Sequence, residues 1–180
     1  MISLTEKIIE GCKRRNTKAQ MQFYNMFYKV LYNCCYRILP NSMDAEDAMQ
    51  ESFIKAFDKI DTIGNAPPEA WLRRIAINTS IDKLKKRRMA LVELDDRMPV
   101  LDDEPYDEEE VNWKVEQVKK SIAQLPDGHR LILTLHLLEG YNYDEIAEIL
   151  NIKEGTARGQ FTRARQKLIE LLKQQDILCA

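Results

Sequence analysis

One face of the last predicted helix carries small, hydroxyl-bearing and cationic side chains. Residues 153–172 (KEGTARGQFTRARQKLIELL) place apolar residues at helical spacing, and this predicted buried stripe consists of Ala157, Phe161, Ala164, Leu168 and Leu171. The opposite side gathers Gly155, Thr156, Gly159, Thr162, Arg163 and Gln166, edged by Arg158, Gln160, Arg165 and Lys167. Small residues allow close approach to a groove, arginines can read guanine edges, and cations hold phosphates. The pattern predicts binding in the DNA major groove, because a merely solvated helix would more often intersperse Glu and Lys.

A second line of side chains lies on a helix predicted over residues 69–88 (EAWLRRIAINTSIDKLKKRR). The line is called the strand face below and consists of Trp71, Arg74, Asn78, Asp82 and Lys85. Cations hold a phosphate backbone while Trp stacks on an exposed base, the combination that single-strand binders use. The predicted packing side consists of Leu72, Ile75, Ala76 and Thr79. The alternative, that Trp71 is a core residue and Asp82 part of a salt bridge, stays open at this point.

A third feature is an apolar residue within a polar helix face over residues 43–60. The predicted inward stripe consists of Ala45, Ala48, Met49, Ser52, Phe53, Ala56, Phe57 and Ile60. The outward side holds Asp47, Gln50, Glu51 and Asp58, with Ile54 at its centre. A single exposed Ile is unremarkable, but its position inside a ring of acids and amides also indicates a docking surface.

Helix-capping and turn residues within 125–151 predict the elements that position the basic helix. Asp127 is a plausible N-cap, and Gly140 ends the helix that follows. Asn142 and Glu145 form a capping-box pattern at the start of the short helix YDEIAEIL. Asn151 then stands where a left-handed residue would turn the chain. A short helix, a tight turn and a basic helix predict a helix-turn-helix.

Composition predicts an all-α protein of two small domains. The 180 residues are 44% apolar and 8% aromatic, with six Gly and six Pro, and strand-like alternation is nearly absent. Residues 93–112 hold ten acids and one Arg, a net charge of −9, so the other 160 residues carry +7. We therefore expect helical domains at 1–92 and 113–180, joined by an acidic linker at 93–112.

Cysteine, histidine and hydropathy patterns argue against other classes of protein. Cys12, Cys34, Cys35 and Cys179 lack metal-ligand spacing, which predicts reduced thiols and no metal site or cofactor. His129 and His136 have no acidic or Cys partner nearby and are expected to be packed or surface histidines. No apolar run approaches the length of about 18 residues that spans a bilayer. We expect a cytoplasmic protein without membrane insertion.

The C-terminal residues resemble region 4 of the sigma-70 family, particularly the extracytoplasmic-function sigma factors. The resemblance lies in Leu125-Pro126, in the stretch 143–147 (YDEIA), in Gly155-Thr156 and in residues 163–165 (RAR). It implies that this domain reads the minus-35 promoter element, with base contacts from Arg158, Gly159, Thr162 and Arg163. The full expected surface, called the recognition face below, consists of Thr156, Arg158, Gly159, Thr162, Arg163, Arg165 and Lys167. Two departures stand out: Lys153 replaces a usual capping Ser, and Gly159 replaces a common Ser.

The N-terminal residues resemble region 2 of the same family. Residues 44–47 (DAED), followed by Gln50, Glu51 and Phe53, are similar to the helix that binds the β′ clamp helices of RNA polymerase. The resemblance implies a docking face consisting of Asp47, Gln50, Glu51 and Ile54. The Trp71-Leu72 pattern and the basic run after it are similar to the regions that read the minus-10 element as separated strands, together with the loop Gly64–Pro68. Family members usually have Arg where this chain has Ile77.

The resemblance implies a transcription initiation factor without catalytic activity or cofactor. Its expected partners are promoter DNA, core RNA polymerase through the β′ clamp helices and β flap, and an anti-sigma factor. One alternative is a dimeric helix-turn-helix repressor or activator that binds duplex operators without polymerase. An enzyme using the acidic residues 102–110 as a metal site is disfavoured, because those residues lack metal-ligand spacing and a His partner.

Overall fold

The chain folds as two compact units. In the computed structural model these units are Met1–Leu101 and Asp102–Ala180, and the residues that the structure describes are 3–91 and 113–174. Every regular element in those two ranges is helical, which confirms the all-α prediction with two domains. The acidic linker predicted at 93–112 lies outside the described residues, and the exact domain bounds stay a prediction.

Over residues 3–91 the first unit is a bundle of four helices with one 3₁₀ turn. Its elements are α1 (Leu4–Lys13), α2 (Thr17–Ile38), α3 (Ser42–Asp58), the 3₁₀ turn (Ile60–Ile63) and α4 (Pro68–Leu91). Side-chain caps begin three of these helices: the Ser3 hydroxyl accepts from Glu6 N, Asn16 from Ala19 N, and Asn41 from Asp44 N. Each cap satisfies an amide that has no partner within the helix. Pro68 begins α4, at the position where a missing N–H costs nothing.

The core of the first unit lies between α2, α3 and α4. Phe23, fully buried on α2, packs its ring 6.0 Å from Phe57 of α3, and Phe53 of α3 lies 4.7 Å from Tyr24. Burying each such ring stabilises the fold by about 1.5–3 kcal/mol. This aromatic packing joins α3 to α2, and α4 packs against both helices, so the outer faces of α3 and α4 lie on the same packed unit.

Three of the four cysteines fill this core. Cys12, Cys34 and Cys35 are buried and reduced, as the sequence predicts, and burial raises the pKa of the Cys12 thiol. Cys179 lies outside the described residues. Among the described helices, none is long and apolar enough to cross a membrane.

The second unit also has four α-helices within its described part, residues 113–174. Its elements are α5 (Trp113–Ala123), α6 (Asp127–Leu133), a π-helical turn (Thr134–Leu138), α7 (Tyr143–Leu150) and α8 (Glu154–Gln174). α8 packs against α6, α7 and α5. The buried residues between them include Ile132, Leu133, Leu135, Ile146, Ala157, Ala164, Leu168 and Leu172. The unit is therefore organised around α8.

The predicted N-cap at Asp127 is wrong by one residue. The cap position belongs to Pro126, which is extended, and Asp127 is the first residue of α6. A carboxylate in the first helical turn is favoured by the helix dipole, and that of Asp127 pairs with the buried guanidinium of Arg130. Arg130 also donates from Nη1 to the Leu125 carbonyl at 2.9 Å. The Leu-Pro turn is thus held by a buried arginine.

Candidate docking and nucleic-acid interfaces

The outer side of α3 exposes an apolar residue surrounded by polar ones. Ile54 keeps 63% of its surface accessible, while Asp47 and Gln50 are exposed and Glu51 is half-buried. The opposite side of the helix is buried as predicted, except that Phe57 is only partly covered. The structure therefore brings the four residues of the predicted docking face together on one surface.

A further residue of this surface was missed by the sequence analysis. Met43 is 76% exposed and lies three helical turns before Ile54, on the same side of α3. The spacing from Met43 through Asp47 and Gln50 to Ile54 is four, three and four, a signal present in the sequence. Met43 stands at the very start of the helix and lies outside the inward stripe, so the pattern of buried residues did not indicate it.

Cations from α4 hold the carboxylates of the docking face. Lys83 Nζ lies 3.8 Å from Asp47 Oδ2 and 3.7 Å from Glu51 Oε2, and Arg87 Nη1 lies 3.3 Å from Asp44 Oδ2. Lys55 of α3 adds a contact of 2.8 Å to Glu51. The hydrogen bond from Lys55 and the charges of Lys55, Lys83 and Lys86 lower the pKa of Glu51, although burial opposes them. The Glu51 carboxylate therefore favours its ionised form, and cations of α3 and α4 lie beside it.

The strand face runs along the outside of α4. Asn78, Asp82 and Lys85 are exposed, whereas Trp71 and Arg74 are half-buried. Trp71 is thus neither a core residue nor fully free, and its remaining exposed surface is compatible with stacking. Within the described residues Asp82 makes no ion pair, so the salt-bridge alternative for this residue is wrong.

Two features beside the strand face, the buried Ile77 and the loop before α4, leave that face accessible. Ile77 is fully buried, so the departure from the family pattern at that position lies in the core and leaves the strand face unchanged. Before α4, Gly64 adopts a φ of 54°, a conformation that glycine accepts without strain. The following residues 65–67 are exposed. The loop predicted to share in strand binding is therefore open to solvent beside the start of α4.

The turns before and after α7 have the predicted geometry. Gly140 has a φ of 78°, and the Asn142 and Glu145 side chains form the reciprocal capping box that starts α7. Asn151 adopts the left-handed conformation, with φ 54° and ψ 52°, and the chain then donates from Ile152 N to the Ala147 carbonyl at 3.0 Å. These local signals build a helix-turn-helix with α8 as its second helix.

All seven residues of the recognition face are exposed on α8. The buried side follows the predicted stripe, except that Phe161 and Leu171 are half-buried and Leu172 takes a place in the core. Lys153 stands before the helix and its carbonyl accepts from Ala157 N at 3.1 Å. Because an ammonium group has no acceptor, the side chain of Lys153 cannot cap this helix as a Ser would.

Side chains on the recognition face differ in how they are held. Arg158 Nη2 donates to Glu154 Oε1 at 2.6 Å, and its guanidinium carbon lies 4.9 Å from the centre of the Tyr143 ring. The hydrogen bond and charge of Glu154 raise the pKa of Arg158. The Thr162 hydroxyl donates to the Arg158 carbonyl at 3.0 Å. Within the described residues, Arg163 makes no ion pair.

The structure also bears on two other predictions, that the chain has no metal site and that its histidines are packed or surface residues. Among the described residues, no cluster of His, Cys, Asp and Glu could hold a metal ion; residues 102–110 lie outside them. His136 is packed, with its ring 4.6 Å from Tyr143 and 4.7 Å from Phe161, and its Nδ1 lies 2.8 Å from the Tyr141 carbonyl oxygen. His136 is therefore a structural residue of the helix-turn-helix.

Fold and surfaces together define a two-unit helical protein with a helix-turn-helix in its second unit. Sequence profiles of two families match it: "Sigma-70 region 2" over residues 23–89 and "Sigma-70, region 4" over residues 116–168. The chain is 30% identical over 186 residues to the ECF RNA polymerase sigma factor SigW of Bacillus subtilis, covering 96% of this chain and 99% of that protein. It is 34% identical over 146 residues to the ECF RNA polymerase sigma factor SigE of Mycolicibacterium smegmatis, covering 79% and 57% respectively.

Solved structures show the same fold. The sigma factor RpoE of Bartonella quintana, crystallised with the anti-sigma factor NepR, matches 85% of this chain and 96% of its own, with a TM-score of 0.64 and 24% identity. CnrH, solved with the cytosolic domain of CnrY, matches 92% of this chain and 95% of its own, with a TM-score of 0.54 and 23% identity. The chain belongs to the sigma-70 family, among its extracytoplasmic-function sigma factors, which confirms the resemblance seen in the sequence.

Proposed function

We propose that this protein directs core RNA polymerase to specific promoters, binding the enzyme through α3 and promoter DNA through α4 and α8. The observation that carries the proposal is that both units expose the required side chains. Ile54 is exposed among acidic and amide side chains in the first unit, and the recognition face is exposed in the second. A factor with both surfaces can attach polymerase and DNA to one chain.

The docking face is proposed to bind the β′ clamp helices of core polymerase. An apolar centre surrounded by charges is the usual arrangement of an interaction hot spot, in which the rim excludes water. Asp47 and Glu51 would meet cations of the partner, and Met43 would extend the apolar contact along α3. The second unit is proposed to contact the β flap, as expected for the family.

The strand face is proposed to hold the minus-10 element as separated strands. Trp71 supplies a stacking surface, and Arg74 and Lys85 supply cations for the phosphate backbone. The exposed loop Gly64–Pro68 stands beside the start of the helix and offers a place for an extruded base. Extrusion costs a few kcal/mol, so this step favours promoters that open easily.

The recognition face is proposed to enter the major groove at the minus-35 element. Arg158 and Arg163 would donate to base edges, with Thr162 nearby, while Arg165 and Lys167 would hold phosphates. The absence of side-chain bulk at Gly159 allows the helix backbone to come close to the DNA.

Three further expectations belong to the same proposal. The protein has no catalytic activity of its own, because the chemistry of RNA synthesis belongs to the polymerase. It acts in the cytoplasm, where polymerase and promoters are found. An anti-sigma factor regulates it, a proposal prompted by the complexes in which RpoE and CnrH were solved.

The test is a pull-down with purified core polymerase followed by run-off transcription from genomic fragments. We expect the full chain to form a stable complex with core enzyme and to start RNA at defined sites. A dimeric repressor or activator would bind duplex DNA without polymerase and start nothing. That outcome, together with a dimer in solution, would replace the proposal with the alternative.

A further inference from the structure

Arg158 is held in a way that distinguishes it from the other arginines of α8. Its guanidinium is bound by two groups, the Glu154 carboxylate at 2.6 Å and the Tyr143 ring at 4.9 Å. Within the described residues, neither Arg163 nor Arg165 makes an ion pair. A long cationic side chain on an exposed helix normally moves among rotamers, so two contacts on one guanidinium restrict it markedly.

The ring that supports Arg158 is itself fixed. Tyr143 is the first residue of α7, and its ring stacks on His136 at 4.6 Å and meets Phe161 edge-on at 5.7 Å. His136 is anchored in turn through Nδ1 to the Tyr141 carbonyl at 2.8 Å. The π-helical turn, α7 and α8 thus each contribute to one aromatic cluster, and Arg158 lies against its outer member.

The contacts leave the guanidinium able to read a base. The group has five N–H donors in a planar fork, and one of them is used by Glu154. Tyr143 contacts the guanidinium as a cation–π partner, with the guanidinium carbon 4.9 Å from the ring centre, so the donors that Glu154 does not use stay available. Bidentate donation to O6 and N7 of guanine needs two of them in a fixed orientation.

We propose that Tyr143 and Glu154 are positioning residues that orient Arg158 to read a guanine in the upstream promoter element. The inference rests on the proposed function and deepens it. The first helix of the motif then contributes to base specificity through Arg158, without a base contact of its own. Glu154 holds the same guanidinium from the start of the recognition helix.

The test measures base preference rather than affinity alone. Full-length protein is assembled with core polymerase, and the holoenzyme selects from double-stranded promoter fragments whose upstream element is randomised. Sequencing of bound fragments gives the preference at each position. Arg158→Ala should remove a guanine preference of about 5- to 150-fold at one position and leave the other positions unchanged.

The positioning residues should affect that same position. Tyr143→Leu and Glu154→Ala are each expected to lower the guanine preference there by about two- to fivefold, and neither should add to the loss in an Arg158→Ala background. Tyr143→Phe keeps the ring and should restore the preference. Glu116→Gln removes a comparable ion pair, that with Lys119 at 2.7 Å on α5, and should leave every position unchanged.

Three results would overturn the inference. An unchanged preference in Glu154→Ala, whose exposed site does not threaten folding, would show that the carboxylate orients nothing. A uniform rise in affinity for all fragments would mean that Glu154 only repels phosphates. Equal losses at all positions in Tyr143→Leu would mark a purely structural role. Failure of the proposed function can be distinguished from failure of this inference, because the wild-type holoenzyme would then start no transcription.

Discussion

The docking face and the recognition face are both charged helix surfaces, yet different parts of the fold hold them in place. The docking carboxylates Asp47 and Glu51 are paired with Lys83, which comes from another helix. On α8 the ion pairs of the recognition-face residues Arg158 and Lys167 are formed within the helix itself. The ion pairs of the first surface therefore depend on how α3 and α4 pack, whereas those of the second form within α8, with one contact from another helix, that of Tyr143 of α7 with Arg158.

This difference suits the two partners. A protein surface such as a pair of clamp helices offers fixed charges, so preplaced carboxylates around Ile54 reduce the cost of ordering on binding. DNA presents a regular groove to which a helix can adjust as it enters. Gly155 and Gly159 of α8 have open space where a Cβ would lie, and Gly in a helix interior is less favourable than Ala by about 0.8–1 kcal/mol.

The largest effect is expected from Ile54→Asp. A buried carboxylate at the centre of the docking face would cost at least about 2 kcal/mol of polymerase affinity, the usual size of a hot-spot loss. Core polymerase binding measured by titration should fall by more than about 25-fold. Binding of the purified upstream DNA should be unchanged.

Leu4→Asp is the matched control for that substitution. Leu4 is 72% exposed on α1 of the same unit, and a carboxylate in a first helical turn is tolerated. Its polymerase affinity should equal that of the wild type. Retained binding in Ile54→Asp would contradict the docking assignment.

A loss of about 1–3 kcal/mol on the cognate upstream element is expected for Arg163→Ala. The reason is that Arg163 lies at the centre of the recognition face, exposed and without an ion pair among the described residues. Titrations of holoenzyme with cognate and unrelated fragments distinguish the two kinds of contact. Lys167→Ala, at the edge, should weaken binding evenly; an even loss in Arg163→Ala would identify a phosphate contact instead.

Gly159→Ala should stabilise the second unit. A Cβ at this position meets nothing within 4 Å, and Ala in a helix interior is favoured over Gly by about 0.8–1 kcal/mol. The free energy of unfolding from urea titration should rise by up to that amount, while upstream-element affinity should fall if the backbone approaches the DNA closely. An unaltered affinity would argue against close approach at this residue.

The smallest effect on stability is expected for the ion pairs between α3 and α4. Lys83→Met should lower the free energy of unfolding at pH 7 by about 0.2–1 kcal/mol, since the pairs are partly exposed. The pKa of Glu51 is lowered in the folded state, so its contribution is present above the ordinary glutamate value of about 4.3. It is lost as the pH falls through the lower folded-state pKa.

Urea titrations of wild type and Lys83→Met at pH 7 and pH 2 check this prediction. The difference between the two proteins should vanish at pH 2. Lys29→Met, on an exposed position of α2, serves as the control and should match the wild type at both pH values. An equal deficit of Lys83→Met at both would mean that packing, rather than charge, explains the effect.

Features with local signals could be predicted from the sequence. The capping box of Asn142 and Glu145, the left-handed Asn151 and the exposed Ile54 each depend on residues within a helical turn or two, and each has the expected geometry. The prediction that Asp127 is the N-cap of α6 was wrong because Asp is favoured both at the N-cap and in the first turn. The local sequence therefore does not distinguish the two positions.

Features that depend on which side chains meet across helices could not be predicted. The π-helical turn at Thr134–Leu138, the contacts of Lys83 and the ring of Tyr143 against Arg158 all require the packed structure. Periodicity shows that Arg158 is at the edge of an exposed face; it contains no information on the aromatic cluster beside it. Residues 92–112 lie outside the described residues, and the prediction made for them depends on composition alone.

The most direct test of the account is run-off transcription from genomic fragments by core polymerase alone and with the wild-type, Ile54→Asp or Arg163→Ala protein. We expect start sites that appear with the wild-type chain and not with core enzyme alone, that vanish with Ile54→Asp and that weaken strongly with Arg163→Ala. Identical start sites with core enzyme alone, or DNA binding by the free chain with no transcription in any reaction, would contradict it.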